Sequence, residues 1–484
     1  MTKKPSHIPS SIFREYDIRG IADRDLSAEF AEYLGLTYAE FLKDHFKRIG
    51  KEKPKYQVAV GRDCRLTGEA YASALIRGLA AAGLDVIRIG VCPTPLTYFS
   101  VFHLETDGAI MVTGSHNPSD YNGFKICVGK DTLHGSDIQN LRHRMESSSP
   151  LSAVGSVTPG NVRDYEIIPD YIRYVSSKAE PVKKAKIVLD AGNGTAGSVA
   201  PELFRKLGAE VIELFCELDG RFPNHHPDPT VPANLKHLIE AVHQHQADFG
   251  VAFDGDSDRI GLVDENGRIL FGDELMVILS RDVLKRHPGA TIISEVKSSH
   301  RLYQDIAKNG GHPIMWKTGH SLIKSKMKET QAALAGEMSG HIFFADRWFG
   351  FDDAIYAATR VYEIFSRSNG RLSELVRDLP ATFSTPEIRI DCDEALKFKL
   401  VTATQARLEA KDLRPNTIDG IRLDTHDGWG LLRASNTQPV LVMRFEATSK
   451  ARLEELKSLF ENEIRIAAQQ IGHPPIAFEG TGHH

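Results

Sequence analysis

The chain has 484 residues, of which 41% are hydrophobic and 25% charged, as is ordinary for a soluble globular protein. Its net charge of −5 argues against general nucleic-acid binding, and no apolar run approaches the ~18 residues of a membrane span. At about 150 residues per domain, the length predicts three or four domains. The sequence therefore indicates a multidomain protein that acts on neither nucleic acids nor membranes.

The cysteine content points to a reducing compartment. The five cysteines are odd in number, widely spaced and free of C-x-x-C pairs, which predicts reduced thiols rather than disulfides or a zinc site. The N-terminal lysines are not followed by the apolar core of a signal peptide. We therefore expect a cytoplasmic protein.

Strands and helices alternate over most of the chain, which predicts α/β domains with mixed, largely parallel sheets. Strands are predicted at 56–60, 84–89, 108–112, 186–190, 249–253, 260–263, 291–294, 314–317 and 332–336, and helices at 68–82 and 274–285. The segment 147–160 is rich in Ser, Gly and Pro and is predicted to be a linker.

The end of the chain has a different pattern. Strands at 387–391, 419–424 and 440–447, with helices at 397–410 and 450–471, indicate a smaller α+β domain. The predicted domains are 1–160, 161–268, 269–380 and 381–484.

The motif Thr-Gly-Ser-His-Asn-Pro at 113–118 follows the apolar strand at 108–112. It consists of turn-forming residues, so Ser115 is expected to be exposed on a tight loop, close in sequence to His116 and Lys125. Ser115 could cap a turn, which is the usual role of such a serine. A hydrolase nucleophile is disfavoured because the motif is not G-x-S-x-G. The third interpretation is a serine that carries a phosphoryl group, which needs a cation and positive side chains nearby.

A second motif can supply that cation. Asp254, Asp256 and Asp258 alternate with small residues and are followed by Arg259. Hard carboxylate oxygens suit Mg²⁺, and the arginine can hold a phosphate. A calcium EF-hand is disfavoured because Arg259 fills the position of the required glycine and both flanks are predicted strands. A solvated acidic turn without metal remains the alternative.

Three further loops have weaker signals. Residues 337–341, Glu-Met-Ser-Gly-His, could bind polyols but could equally be a surface loop. Residues 433–439 are predicted to form a turn that suits an anion, although Ser and Asn there could simply bond their own backbone. The glycine-rich segment 191–197 lacks the Walker lysine, so a tight turn between strand and helix is favoured over a phosphate loop.

Together these loops resemble the α-D-phosphohexomutase superfamily, and within it the bacterial phosphomannomutase/phosphoglucomutase group, over nearly the full length. Segment 113–118 is similar to its phosphoserine loop, 254–259 to its metal loop, 337–341 to its sugar loop and 433–437 to its phosphate loop; 13–20 is similar to its N-terminal motif. The resemblance implies three related α/β domains and a smaller C-terminal α+β domain around a central cleft.

The resemblance also implies an activity: reversible phosphoryl transfer between C1 and C6 of mannose and glucose phosphates. Phosphoserine at Ser115 would form a hexose 1,6-bisphosphate, which also acts as activator. Mg²⁺ would be held by Asp254, Asp256, Asp258 and a phosphoserine oxygen. The partners implied are small hexose phosphates, and the expected state is a monomer or weak dimer.

The residues that the resemblance implies fall into two groups. The catalytic set is Ser115, Lys125, His320, Arg19 and His116, with His320 and Lys125 as the favoured proton carriers. The substrate-binding set is Tyr16, Arg19, Lys125, Arg259, Lys297, His320, Glu337, Ser339, His341, Arg433, Ser435, Asn436 and Thr437. Glu337 and Ser339 would hold the hydroxyls at sugar positions 3 and 4. Glucose and mannose differ only at position 2, so dual specificity is expected.

Three alternatives stay open. Phosphoglucosamine mutases usually have Ala before the reactive serine, whereas this chain has Gly114. A non-catalytic sugar-phosphate binding protein would be expected to lack Ser115 or a metal ligand, and all are present. A phosphatase would keep Ser115 phosphorylated only briefly.

Overall fold

The computed structural model describes residues 4–5, 7–147, 157–368, 370–436, 438–472, 474, 476 and 478. They separate into two compact units, one with residues up to Leu279 plus Ser339–Leu375, the other with Ser280–Met338 plus the residues from Val376 onward. Most of the predicted linker (148–156) and the predicted phosphate contact Thr437 lie outside the described residues. Among the described residues, no helix has both the length and the apolarity needed to cross a bilayer.

The first sheet of the first unit is mixed. Its strands are β1 (Ile18–Ile21), β2 (Gln57–Arg62), β3 (Asp85–Val91), β4 (Gly108–Val112), β5 (Tyr121–Val128), β6 (Asp131–Thr132) and β7 (Val162–Asp164). They follow the order β1-β5-β4-β2-β3-β7, with β6 paired to β5. Strands β4, β2, β3 and β7 are parallel, whereas β5 is antiparallel to both β4 and β1. The serine loop therefore connects two adjacent antiparallel strands.

The helices around this sheet are α1 (Ala28–Arg48), α2 (Gly68–Ala81), α3 (Thr94–His103) and α4 (Ser136–Ser147). Helix α1 begins where Ser27 Oγ accepts the Phe30 N–H at 3.1 Å. Helices α1 and α2 approach closely at Gly78, which has no side chain. A Cβ at this position would lie only 2.0 Å from the Glu32 carbonyl oxygen. Their buried faces form the core over β2, β4 and β5.

The second sheet of the first unit delivers the acidic motif. Its strands are β8 (Lys186–Asp190), β9 (Glu210–Leu214), β10 (Phe249–Phe253), β11 (Ile260–Asp264) and β12 (Ile269–Leu270), in the order β12-β11-β10-β8-β9. Its helices are α5 (Ile167–Lys178), α6 (Ala200–Lys206) and α7 (Lys236–His245). Strands β10, β8 and β9 are parallel, while β10 and β11 form an antiparallel hairpin. Residues 254–259 are the turn of that hairpin.

Helix α8 (Gly272–Arg286) carries the chain into the second unit. In the second unit the chain forms β13 (Thr291–Glu295), α9 (His300–Lys308), β14 (His312–Trp316), α10 (His320–Thr330) and β15 (Leu334–Gly336). Strand β13 lies between β14 and β15, and both pairings are parallel. The chain then re-enters the first unit as β16 (Ile342–Phe344) and α11 (Ala354–Arg367), where Phe365 of α11 packs on Phe249 with ring centroids 5.4 Å apart.

The rest of the second unit is an antiparallel sheet with two helices. Its elements are β17 (Phe383–Ser384), β18 (Ile388–Asp391), α12 (Lys397–Glu409), β19 (Ile421–Thr425), β20 (Gly428–Ala434), β21 (Val440–Ala447) and α13 (Lys450–Gln470). The strand order is β17-β21-β20-β19, with β18 also paired to β21. This is the smaller α+β domain that the sequence predicts.

Two local expectations are wrong. Ser115 was expected to be exposed, but only 2% of it is accessible because the acidic turn covers the loop. Arg433 was expected in a turn, but it lies inside β20, paired with Val442 of β21. For Ser115 the deciding neighbour lies 139 positions away in sequence, and for Arg433 it is the adjacent strand β21.

Candidate active site

Ser115 lies at the centre of a buried cluster in the first unit. Its backbone is in the left-handed region, with φ of 52°, which turns its side chain towards the acidic motif. Ser115 Oγ donates to Asp254 Oδ2 at 3.1 Å and lies 3.1 Å from His116 Nδ1. The structure thus brings the serine and the acidic motif together, although 139 positions separate them in sequence.

The serine loop is held by Arg65, a residue that the sequence interpretation missed. The guanidinium of Arg65 donates to the carbonyl oxygens of Ser115, Asn117, Pro118 and Tyr121, with Nη2 to Ser115 O at 2.8 Å and Nη1 to Tyr121 O at 2.8 Å. Only 1% of Arg65 is exposed. An arginine has five donors in one plane, so a single side chain can hold four loop carbonyls at once.

Asp63 completes this support. Its Oδ2 accepts from Arg65 Nε at 3.1 Å, from Thr113 Oγ1 at 2.7 Å and from the Gly114 N–H at 3.2 Å. Glycine is required at 114 in this conformation because a Cβ there would lie 2.6 Å from Arg65 Cζ. The loop that carries Ser115 is therefore fixed before any ligand binds.

The three aspartate side chains of the acidic motif point towards one another and do not lie on alternate sides of a strand. Ser257 has φ of 65° and its N–H donates to the Asp254 carbonyl, which closes a turn between β10 and β11. Oxygens of Asp254, Asp256 and Asp258 all lie within 4.8 Å of one another, and all three residues are fully buried. The two flanking strands exclude an EF-hand, which needs flanking helices.

A hard divalent cation fits this cluster. Three buried carboxylates in such proximity repel one another, and Oδ1 of Asp256 has no hydrogen-bond partner among the described residues. Burial, followed by the charges of Asp258 and Asp256, raises the pKa of Asp254 well above its ordinary value. An oxygen-only donor set of this kind is what Mg²⁺ prefers.

Lys125 balances part of the negative charge. It lies on β5 opposite Met111, and Nζ is 2.9 Å from Asp256 Oδ2 and in direct contact with Asp258. Burial alone would lower the pKa of Lys125, but the charges of Asp256 and Asp258 outweigh burial and raise it. Lys125 is therefore held in its charged form.

Further cationic and imidazole side chains lie near His116 and the acidic turn. The pKa of His116 lies well below its ordinary value because of burial, followed by the charges of Arg259 and Arg19, so its imidazole is neutral. Arg19 itself contacts Asp17. Arg259 pairs through its backbone with His341, whose Nε2 is 3.4 Å from Asp258 Oδ1.

Two more predicted residues lie in this unit. Ser339 Oγ is 2.9 Å from Nδ1 of His341, so the second half of the predicted sugar loop is tied to the acidic motif. Tyr16 is half-buried in the segment before β1.

The segment 191–197 follows β8 and supports the acidic turn, a contact that the tight-turn interpretation does not include. The Thr195 N–H donates to the Gly255 carbonyl at 3.1 Å, and Thr195 Oγ1 is 3.0 Å from Ser257 Oγ. A Cβ on Gly194 would lie 2.7 Å from the same Gly255 oxygen. Thr94, the first residue of α3, also contacts the turn, since its Oγ1 donates to Asp256 Oδ2 at 2.6 Å. Neither threonine was predicted.

The second unit holds its own set of predicted residues. Lys297 Nζ is 3.0 Å from Glu387 Oε2, and the Lys297 N–H donates to Glu295 Oε2 at 2.9 Å. Burial lowers the pKa of Lys297, but Glu295 and Glu387 outweigh burial and raise it. For Glu387, burial is outweighed by the charge of Lys297, and its pKa falls to about 2. This lysine is charged and its partner is a carboxylate at neutral pH.

The loop before α10 is held by acidic side chains. The Gly319 N–H donates to Glu337 Oε1 at 2.6 Å, and Thr318 Oγ1 donates to Glu295 Oε2 at 2.9 Å. His320, which begins α10, is 9% exposed. The predicted residues His320 and Glu337 are therefore neighbours within this unit.

The predicted phosphate loop follows β20. Arg433 is nearly buried, and Ser435 Oγ accepts the Gln438 N–H at 3.2 Å, as an ordinary serine turn would. Lys397 Nζ donates to the carbonyls of Ser435 and Gln438 at 2.6 and 3.0 Å. Asn436 is exposed at the tip of the turn.

Comparison with known proteins identifies the family. The chain matches, in succession, phosphoglucomutase/phosphomannomutase alpha/beta/alpha domains I, II and III at residues 10–150, 169–267 and 271–383, and the C-terminal domain at 387–463. It belongs to the phosphoglucomutase/phosphomannomutase family.

Similar proteins match over nearly their whole length. A phosphomannomutase/phosphoglucomutase of Pseudomonas aeruginosa is 46% identical over 473 residues, which cover 98% of this chain and 99% of that protein. A phosphoglucomutase of Neisseria meningitidis is 43% identical, covering 95% and 98%. The crystal structure of a phosphoglucomutase/phosphomannomutase family protein from Burkholderia thailandensis superposes with a TM-score of 0.88 at 40% identity, covering 97% and 100%.

These matches confirm the superfamily and the four-domain α/β architecture that the motifs predict. The exact domain boundaries and the roles of individual site residues stay predictions.

The first prediction concerns Arg65. Arg65→Lys keeps the charge, but an ammonium group cannot reach four carbonyls, so several charge-assisted hydrogen bonds should be lost. The free energy needed to open the loop locally should fall by about 3 kcal/mol. Backbone amides of residues 113–121 should then exchange with deuterium on the order of a hundredfold faster, while the strands of the same sheet keep their protection.

The matched control is Arg77→Ala, since Arg77 is a mostly exposed arginine paired with Glu32. It should leave exchange in 113–121 unchanged. Wild-type protection of that segment in Arg65→Lys would contradict the role assigned to Arg65.

The second prediction concerns pH. Because the pKa of Glu387 falls from its ordinary 4.5 to about 2, its ion pair stabilises the fold above pH 4.5. That contribution is lost as pH falls from 4.5 towards 2. Glu387→Gln should destabilise by about 3 kcal/mol at pH 7. The difference from wild type, measured as the urea midpoint, should shrink steadily as the pH falls below 4.5.

Glu454→Gln, an exposed position on α13, is the control and should track wild type at every pH. A Glu387→Gln deficit of equal size at pH 7 and pH 3 would rule out the ion pair as its cause.

Proposed function

We propose that this protein is a phosphohexomutase that interconverts the 1-phosphates and 6-phosphates of mannose and glucose. The observation that carries the proposal is Ser115 Oγ, 3.1 Å from Asp254 in a turn of three buried carboxylates. A serine that only capped its own turn would not need such a cluster beside it. Membership of the phosphoglucomutase/phosphomannomutase family supports the same reaction.

The reaction needs two transfers. Phosphoserine at Ser115 gives its phosphoryl group to the free hydroxyl of a hexose phosphate: the bond from phosphorus to the serine oxygen breaks and one to the sugar oxygen forms. The sugar hydroxyl loses its proton and the serine oxygen gains one. The resulting 1,6-bisphosphate reorients in the site and returns its other phosphoryl group to Ser115. Such transfers depend mainly on positioning and charge neutralisation.

Asp254, Asp256 and Asp258 are the residues proposed to hold Mg²⁺, together with a phosphoserine oxygen. When bound, the ion would withdraw negative charge from the transferring phosphoryl group. Arg259, beside the turn, adds a second positive contact for phosphate.

The charge states of Lys125 and His116 limit the roles that these two residues can take in proton transfer. Lys125 is held in its charged form by Asp256 and Asp258, which suits the donation of a proton or a fixed positive charge, not the acceptance of a proton. Neutral His116 lies within hydrogen-bond distance of the serine oxygen. We assign proton acceptance to His320, and a supporting positive contact to Arg19.

The remaining roles concern substrate binding. Glu337 and Ser339 are proposed to hold the hydroxyls at sugar positions 3 and 4, with His341 beside them, and Tyr16 to wall the sugar site. The phosphate that is not reacting would bind the set Arg433, Ser435, Asn436 and Thr437, and Lys297 is proposed as a further substrate contact. Fixing the far end of the substrate supplies much of the orientation that transfer requires.

The alternatives fit less well. Phosphoglucosamine mutase is disfavoured because such enzymes usually have Ala before the reactive serine, whereas this chain has Gly114. A non-catalytic binding protein has no need of an intact serine and carboxylate cluster. A phosphatase would release inorganic phosphate and would not retain phosphoserine.

The third prediction tests the activity. With a trace of glucose 1,6-bisphosphate, the wild type should convert both glucose 1-phosphate and mannose 1-phosphate to the 6-phosphates. Ser115→Ala should lower the rate by about 10⁴-fold or more because it removes the phosphoryl carrier. Coupled assays of the 6-phosphates measure both.

Ser119→Ala, an exposed serine of the same loop, should keep wild-type activity. Undiminished conversion by Ser115→Ala would disprove the phosphoserine mechanism. A rate for mannose 1-phosphate about a thousandfold below that for glucose 1-phosphate would leave the mutase activity intact but disprove dual specificity.

A further inference from the structure

One carboxylate in the second unit joins two predicted site loops. Asp419 Oδ2 accepts from Arg433 Nε at 3.1 Å, and Asp419 Oδ1 accepts from Arg433 Nη2 at 3.4 Å. The same Oδ2 accepts the backbone N–H of Thr318 at 2.9 Å. The Asp419 side chain is 12% exposed and that of Arg433 is 7% exposed. The contacts are therefore well shielded from water.

The Arg433 contact is a two-point contact. Nε and Nη2 lie on one edge of the planar guanidinium, so a carboxylate that accepts from both fixes the plane as well as the position of the group. A phosphate also binds arginine through such an edge-on geometry, so the orientation of the plane decides how well a phosphate is held.

Through Thr318, Asp419 also contacts the backbone segment that leads into His320. Gly319 has φ of 132°, a conformation that favours glycine, and it is followed directly by His320 at the start of α10. Asp419 and Glu337 accept the consecutive N–H groups of Thr318 and Gly319. The backbone leading to His320 thus depends on two carboxylates, one of which also holds Arg433.

Asp419 is itself fixed by the backbone. It precedes Gly420, which has φ of 81°, and a Cβ on Gly420 would lie 2.6 Å from Arg433 Cβ. The next residue, Ile421, pairs with Leu432 in the β19–β20 ladder. The carboxylate is therefore held against β20 and does not depend on a flexible loop.

We propose that Asp419 is a positioning residue that sets the guanidinium plane of Arg433 for phosphate and ties it to the backbone that carries His320. This inference rests on the proposed function, in which Arg433 binds the phosphate that is not reacting. Asp419 does not touch substrate; it acts through Arg433.

The experiment measures KM and kcat for glucose 1-phosphate in wild type, Asp419→Asn, Arg433→Ala and the double variant. Asparagine still accepts the Thr318 N–H but offers only one oxygen and no charge to Arg433. Asp419→Asn should raise KM by about tenfold, as expected when a binding group is misplaced. Its kcat should fall by less than its KM rises, because Arg433 is still present to hold and orient the phosphate. The inhibition constant for inorganic phosphate should rise by a similar factor.

Two controls isolate the effect. Asp427→Asn removes a carboxylate from a comparable 3.1 Å contact with Arg452 in the same domain and should leave KM unchanged. In the Arg433→Ala background, Asp419→Asn should add less than about twofold to KM, because its target is already gone. Asp419→Glu, which keeps the charge, is the second variant if asparagine impairs folding, and its KM should lie between those of wild type and Asp419→Asn.

Several outcomes would overturn the inference. An unchanged KM in Asp419→Asn shows that Arg433 does not need Asp419. A lower KM shows that Asp419 competes with phosphate for the guanidinium. An equal rise in KM in the presence and absence of Arg433 shows a general structural effect. A wild type that converts no hexose phosphate contradicts the proposed function instead, so the two failures are distinguishable.

Discussion

The burial of three carboxylates beside one lysine is the constraint on which the first unit depends. Asp254, Asp256 and Asp258 are fully inaccessible and converge within 4.8 Å, while Lys125 supplies one compensating charge. Buried charges are tolerated only when they are paired or bind metal. One ammonium group does not balance three carboxylates, so the turn suits a further cation, as the proposed mechanism requires.

The scaffold around this turn explains why so much of the chain is needed. Arg65 and Asp63 hold the serine loop from the first sheet, and the segment 191–197 holds the acidic turn from the second. These two supports place Ser115 and Asp254 in contact, with Oγ and Oδ2 3.1 Å apart. In the second unit the same principle recurs, since Glu295, Glu337 and Asp419 hold backbone N–H groups and so position the side chains predicted to meet substrate.

Much of the fold was predictable from local patterns. Strands at 108–112, 186–190, 249–253 and 440–447 match the structure residue by residue, because buried apolar runs bounded by turn formers have a strong local signal. Short motifs were enough to single out Ser115, Asp254, Asp256 and Asp258 as candidates, and the structure brings them together. Strand β5 was not predicted, since its polar Lys125 faces the acidic turn. Arg65 and Thr195 were missed because their partners lie far away in sequence, as does Thr318, one of the two partners of Asp419.

The most direct test of the account is single-turnover transfer from the serine. Enzyme labelled with radioactive phosphate at Ser115 is mixed rapidly with glucose 1-phosphate and quenched at increasing times. The account predicts that label leaves the protein and appears in glucose 1,6-bisphosphate and glucose 6-phosphate at least as fast as steady-state turnover. Label that stays on the protein through many turnovers, or that appears as inorganic phosphate, would contradict it.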